Sequence, residues 1–103
     1  MRTVFSIRLS ATAQQNLQAI SAYSLQIWGA VQTEKYLSLI EQGLSSLLDN
    51  PEIGIARPDI KSGYRCLAVE KHRIFYQINT PFIDVLAILH SRMDIKNNFN
   101  LPS

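Results

Sequence analysis

A single cysteine, Cys66, in a chain of 103 residues excludes an intrachain disulfide and a CxxC metal site together. A fold held by its own apolar core in a reducing cytoplasm is expected. Charged residues make up only 17% of the chain, and no apolar run approaches the roughly 18 residues a membrane-spanning helix needs. The opening MRTVFSIRLSATAQQ also lacks the apolar centre of a secretory signal, so neither export nor a membrane anchor is expected. Phosphate-cradling GxxxxGK and GxGxxG motifs are missing, as is the GxSxG nucleophile elbow. Internal repeats and low-complexity stretches are missing too. What is there is 47% hydrophobic, rich enough in burial for one domain and one core.

Charge balances up to residue 51, so the net +2 comes from the second half. That bias permits a polyanionic partner but lacks the dense basic stripe of a nucleic-acid binder.

Hydrophobic periodicity divides the chain. Val4 to Leu9 reads as a strand that ends at Ser10, a residue suited to cap a helix. Ala13, Leu17, Ile20, Ser24 and Ile27 then recur at helical spacing, and Gly29 stops that helix. A second stripe of Leu37, Ile40, Leu44 and Leu47, widened by Tyr36 and Leu48, ends near Asn50 because Pro51 disfavours helical geometry before it. The short link at Gly29 makes the two helices an antiparallel hairpin, and Gly43 suggests a close approach between them.

Residues 51–63 read as an irregular connection. Beyond them the period becomes two, with strands over residues 64–69, 72–79 and 82–89 joined by two-residue turns. The last is apolar on both faces, so the sheet needs a second cover over a face that includes Cys66, Phe75, Leu86 and Ile88. The C-terminal segment or a partner chain could provide it.

Few residues present themselves for chemistry. His72, His90 and Cys66 lack metal-ligand spacing, so no metal or other cofactor is expected. Arg65, Arg73, His90 and Arg92 are the types needed for metal-free RNA cleavage, but they have no fixed spacing; the favoured reading is of Arg65 and Arg73 as exposed strand residues and His90 as a strand-end histidine bonded to backbone. Tyr23 and Trp28 could stack on bases, although core or partner packing is the commoner use of such a helix stripe.

Several stretches in order resemble one family: Leu9-Ser10 before a helix with Leu17 and Ile20, Trp28-Gly29, Tyr36-Leu37, Asn50-Pro51-Glu52-Ile53-Gly54, Gly63-Tyr64-Arg65, His72-Arg73-Ile74-Phe75-Tyr76 and Ile88 through Asp94. The chain resembles the ParE toxins of the RelE/ParE superfamily, the toxic halves of bacterial type II toxin–antitoxin pairs. The resemblance implies an α+β single domain over residues 1–103, of order β-α-α-β-β-β. Its helix hairpin would pack on a mainly antiparallel four-strand sheet, with the first strand's position unassigned and residues 91–103 as a tail.

The resemblance also implies a bacterial cytoplasmic inhibitor of DNA gyrase rather than an enzyme, neutralised by a ParD-like antitoxin and with no direct DNA binding of its own. RelE-like members are instead ribosome-dependent ribonucleases, and a non-toxic binding module of the same fold is a third reading. No tyrosine follows Tyr76, and the ending Leu89-His90-Ser91-Arg92-Met93-Asp94 is of the ParE type, which favours the gyrase reading. His90, Arg92, Met93 and Lys96 are the expected gyrase-directed residues. Leu17, Tyr23, Trp28, Tyr36, Phe75 and Leu86 are the expected antitoxin-facing ones.

Overall fold

Ser10 opens the helical part of the chain by accepting the Ala13 N–H at 3.0 Å on its hydroxyl, which satisfies one of the four donors a helix start leaves unpaired. The computed structural model describes residues 3–93, in the order β1 (Ser6–Leu9), α1 (Ala11–Asp49), a 3-10 turn (Pro51–Ile53), β2 (Ile55–Ala56), β3 (Tyr64–Val69), β4 (His72–Asn79) and β5 (Phe82–His90).

The helix α1 is broken at Gly29, whose φ of 82° and ψ of 177° leave helical geometry. Unbroken, its 39 residues would extend about 58 Å, more than the molecule's longest principal extent of 43 Å. Instead the arms fold back, so that Leu17, Gln18 and Ser21 share a groove with Leu37, Ile40, Glu41 and Leu44. This is the hairpin that the two stripes predict. Gly43, however, marks a close approach of helix to sheet rather than of helix to helix. A Cβ there would lie 2.5 Å from Val69 Cγ2 and 3.5 Å from Ile74 Cδ1.

The sheet has five strands in the order β1-β5-β4-β3-β2, one more than the sequence suggested. The extra strand, β2, lies in the segment read as irregular and is two residues long, too short to show a period. The first strand takes an edge, parallel to β5. Arg8 fixes it there with a bidentate pair to Asp84 at 2.6 and 2.9 Å, its guanidinium 3.8 Å from the Phe82 ring centre. Arg8, and after it Asn79, hold the Asp84 carboxyl below the ordinary carboxylate range.

The other pairings are antiparallel, with two-residue turns at Glu70-Lys71 and Thr80-Pro81 as expected. Ile74, Tyr76, Ile83, Val85 and Ile88 meet Ala13, Ile20, Ile40 and Leu47 in the main core. On the opposite sheet face Cys66, Phe75, Ala87 and Leu89 form a second cluster with Ile60, and Tyr64 packs against it. The connecting segment therefore supplies part of the second cover through Ile60. The tail considered for that role lies outside the described residues from Asp94 on.

Two expectations about faces need correction. Ile88 belongs to the helix side, and Leu86 to neither regular row, because β5 carries a bulge at that position. Phe75 pairs with Ala87 but Tyr76 with Val85, which leaves Leu86 unpaired. Such an extra residue reverses the facing of everything beyond it. Ile27, placed on the first helix stripe by its spacing, is exposed with its neighbours Tyr23, Leu25, Trp28 and Val31. The main core draws on the hairpin up to Ile20 and again from Tyr36, so the tip between them lies beyond it.

Candidate functional site

The bulge in β5 decides what the end of the sheet looks like. Counting back from the turn, where Asn79 pairs with Phe82, an unbroken ladder would set His72 opposite Leu89. The register instead pairs His72 with His90, and both imidazoles come to the helix side with their rings edge to face at 5.3 Å. The bulge is held from the start of α1. Ser10 donates its hydroxyl to the Leu86 carbonyl at 2.8 Å and its N–H to Val85 O at 3.0 Å, while Asn16 Oδ1 accepts the Ile88 N–H at 2.9 Å.

Above this histidine pair, Ala19, Ile20, Tyr23, Ser24 and Trp28 from one arm and Tyr36 from the other complete a pocket of about 380 Å³, with Lys71 on its rim. Tyr23 and Trp28 meet edge to face at 6.4 Å. The Tyr36 hydroxyl accepts the Lys71 backbone N–H at 3.3 Å and lies 2.5 Å from His72 Nδ1.

Burial pushes the Tyr36 phenol above its ordinary value, reinforced by Glu70 and opposed by the Lys71 N–H. The phenol therefore keeps its proton, and in the tautomer in which the hydroxyl donates to Nδ1 the neutral His72 ring carries its hydrogen on Nε2. Burial, and then positive charge on His90, hold His72 below the ordinary histidine value. In His90 the Nδ1 accepts the Arg92 N–H at 3.2 Å, so its hydrogen also falls on Nε2 when the ring is neutral.

Of the residues singled out from sequence, Tyr23, Trp28, Tyr36 and His90 meet around this one pocket. Leu17 lines the groove between the arms. Phe75 is 1% exposed on the far side of the sheet, and Leu86 is the half-buried bulge residue. Arg92 and Met93 are exposed in the turn after β5, and Lys96 lies outside the described residues. Sequence reasoning missed Ser24, Lys71 and His72. A sequence signal existed for His72, which opens one strand where His90 closes the next, but the register that joins them depends on the bulge.

The cations considered for RNA cleavage do not converge. Arg65 donates to the carbonyls of Glu52 at 3.2 Å and Gly54 at 2.8 Å. Arg73 pairs with Leu89 on the far face, where its charge acts on Cys66, while His90 faces the helices. Among the described residues no three His, Cys, Asp or Glu side chains could hold a metal ion, and no helix is long and apolar enough to cross a membrane.

A family model described as "ParE toxin of type II toxin-antitoxin system, parDE" matches residues 7–95. The chain belongs to the ParE toxin family. It is thus a ParE-type toxin of a type II toxin–antitoxin system. It is 37% identical over 91 residues to "Toxin ParE1" of Mycobacterium tuberculosis, covering 87% of this chain and 93% of that protein. It is 32% identical over 89 residues to "Toxin ParE" of Escherichia coli, with 84% and 85% coverage.

Two solved structures share the ParE-type fold. One, titled "Chromosomal ParDE TA system from P. aeruginosa", has a TM-score of 0.75 at 21% identity over 86% of this chain and 98% of that one. The other, the toxin–antitoxin complex RelBE2 from Mycobacterium tuberculosis, has a TM-score of 0.62 at 17% identity over 84% and 96%.

Proposed function

We propose that this ParE-type toxin acts by binding, inhibits DNA gyrase and is neutralised by a ParD-like antitoxin. The observation that carries the antitoxin part is the hairpin tip. Residues 11–33 contain no Asp, Glu, Lys, Arg or His, yet Tyr23, Leu25, Ile27, Trp28 and Val31 stand exposed on this stretch. A contiguous apolar surface on a small chain marks a site for a partner, and a segment that orders on binding needs such surface to offset its lost entropy. Tyr23 and Trp28 lie on it, Tyr36 lines the pocket beside it, and Leu17 lines the groove between the arms. Phe75 and Leu86 lie elsewhere, and the proposal does not include them.

The scatter of Arg65, Arg73 and His90 over two faces supports inhibition over ribonuclease action, because general acid–base work on RNA needs base and cations around one phosphate. The gyrase-directed surface is placed at the sheet end and the turn beyond it, through His90, Arg92 and Met93, with Lys96 beyond the described residues. Supercoiling by purified gyrase is expected to fall as the toxin is added, and translating ribosomes are expected to show no new messenger cleavage. Codon-position cleavage that vanishes in His90→Ala, with supercoiling untouched, would replace this reading by the ribonuclease one.

A further inference from the structure

We infer that the pocket between the hairpin tip and the His72–His90 pair receives an acidic residue of the antitoxin together with an apolar neighbour. The carboxylate would meet Lys71 and the two imidazole Nε2–H groups. This rests on the antitoxin reading and adds to it the chemistry of one contact.

The polar side of the pocket is rich in donors. Tyr36 and the Arg92 backbone contact the two Nδ1 atoms; with Tyr36 donating to His72, each neutral ring carries its hydrogen on Nε2, both rings line the pocket, and the Lys71 ammonium adds up to three hydrogens. Among the described residues no carboxylate lines the pocket; Glu70 lines the neighbouring depression with Trp28, Gln32, Tyr36 and Lys71. The opposite wall, of Ala19, Ile20, Tyr23 and Trp28, is largely apolar. A purely apolar occupant would cover the donors and leave them unpaired, which is costly. A carboxylate beside an apolar side chain satisfies both walls. At about 380 Å³ the cavity falls low in the range of roughly 300–1,000 Å³ usual for ligand sites, which suits one or two residues of a peptide rather than a helix.

Protonation links to this contact. Among the described residues the titratable and charged groups around it are Tyr23 and Tyr36 from α1, Glu70 and Lys71 from the β3–β4 turn, His72 from β4, His90 from β5 and Arg92 beyond. Burial and the neighbouring imidazole disfavour the charged form of His72, and an arriving carboxylate opposes both effects. Binding therefore takes up protons, and affinity rises as pH falls.

Trp28 is the only tryptophan of the chain and lines the pocket, so its emission reports occupancy. The probes are two acetylated, amidated tripeptides, Leu-Glu-Leu and Leu-Gln-Leu, titrated into the whole chain at about pH 6 and about pH 8, which bracket histidine titration. The glutamate peptide should bind about tenfold tighter at the lower pH, equivalent to about 1.4 kcal/mol, with a smaller margin at the higher. The double variant Lys71→Gln, His90→Gln should lose the preference.

Equal affinities at the lower pH in the unmodified chain, no emission change with either peptide, or a preference that survives in the double variant would overturn the assignment. A melting-temperature shift with a whole ParD-like antitoxin is measured in parallel. A shift without any glutamate preference removes this site and leaves the antitoxin reading standing. Absence of a shift removes both.

Discussion

Two tyrosine hydroxyls sit at opposite ends of the sheet's helix side, and their surroundings differ in kind. Tyr76 is 0% exposed. It donates to the Pro51 carbonyl at 2.6 Å and accepts the Gly54 N–H at 2.9 Å, and a Cβ on Gly54 would lie 2.5 Å from the same oxygen. Its proton and a lone pair are both used within the fold, and burial raises the phenol's pKa beyond its ordinary value. Tyr36 also has two partners, the Lys71 N–H and His72, but one is an imidazole that itself lines an open pocket. The first network closes the fold, and the second leaves donors available. Buried polar groups with full partners belong to stability, and convergent donors in a concave apolar site belong to recognition.

Substitutions should break this comparison most strongly at its closed end. Tyr76→Ala removes a fully buried ring and strands the Gly54 N–H and the Pro51 carbonyl, for an expected loss of about 3–5 kcal/mol. Urea denaturation would read this as a collapse of the midpoint, and a loss below about 1 kcal/mol would contradict the sealed network. Gly54→Ala should fall in the same direction at about 1–3 kcal/mol, since the added carbon overpacks against Tyr76.

At the open end the expected effect moves from folding to binding. Trp28 is 52% exposed, so Trp28→Ala should alter stability by only about 0.5 kcal/mol. Antitoxin affinity should drop by about 2 kcal/mol or more, as for a buried aromatic anchor of an interface, which titration calorimetry would show as a roughly 30-fold weaker Kd. Comparable losses in both measurements would mean that the tip is core after all.

The same contrast explains what the sequence made legible. Periodicity and residue type located both helical arms, the glycine between them and four of the five strands, because burial of one face imposes its period on many residues. The closed end was visible as Asn50 to Gly54 and Tyr76, but only as a matching pattern, since nothing local says that a tyrosine in β4 will cap a loop more than twenty residues earlier. The open end was half visible. Tyr23, Trp28, Tyr36 and His90 stood out as types, but their meeting with His72 and Lys71 depends on one unpaired residue, Leu86, in an apolar run where every register looks equally good. The exposure of Ile27 was hidden for a related reason, as spacing reports which residues share a stripe but not where the surface beneath it ends.

Ser10 tests the dependence on the bulge. Its hydroxyl both caps α1 and bonds the Leu86 carbonyl, so Ser10→Ala should cost about 1 kcal/mol through the cap alone. The ring protons of His72 and His90 should also shift in NMR spectra as the bulge loosens. A stability loss with unchanged imidazole resonances would separate the cap from the pocket.

The smallest effect belongs to His72 itself and is one of pH. Its folded value lies below the ordinary 6.5, chiefly through burial and then through His90, so the unfolded chain takes up the proton first. Stability associated with this residue is therefore complete above about pH 6.5 and declines as pH falls from there toward the folded value. Asp59 and Asp84, whose folded values are lowered by Arg57 and Arg8 respectively, act in a different window, because their contribution holds above the ordinary carboxylate value of about 3.9 and is lost as pH falls below it. Denaturation midpoints between about pH 7 and pH 5 thus separate the His72 contribution from that of the carboxylates. Solvent reaches His72 through the pocket and screens the effect, so the slope should be shallow. His72→Asn should flatten it further. An unchanged slope in that variant would detach His72 from the pH dependence and from the electrostatics of the pocket.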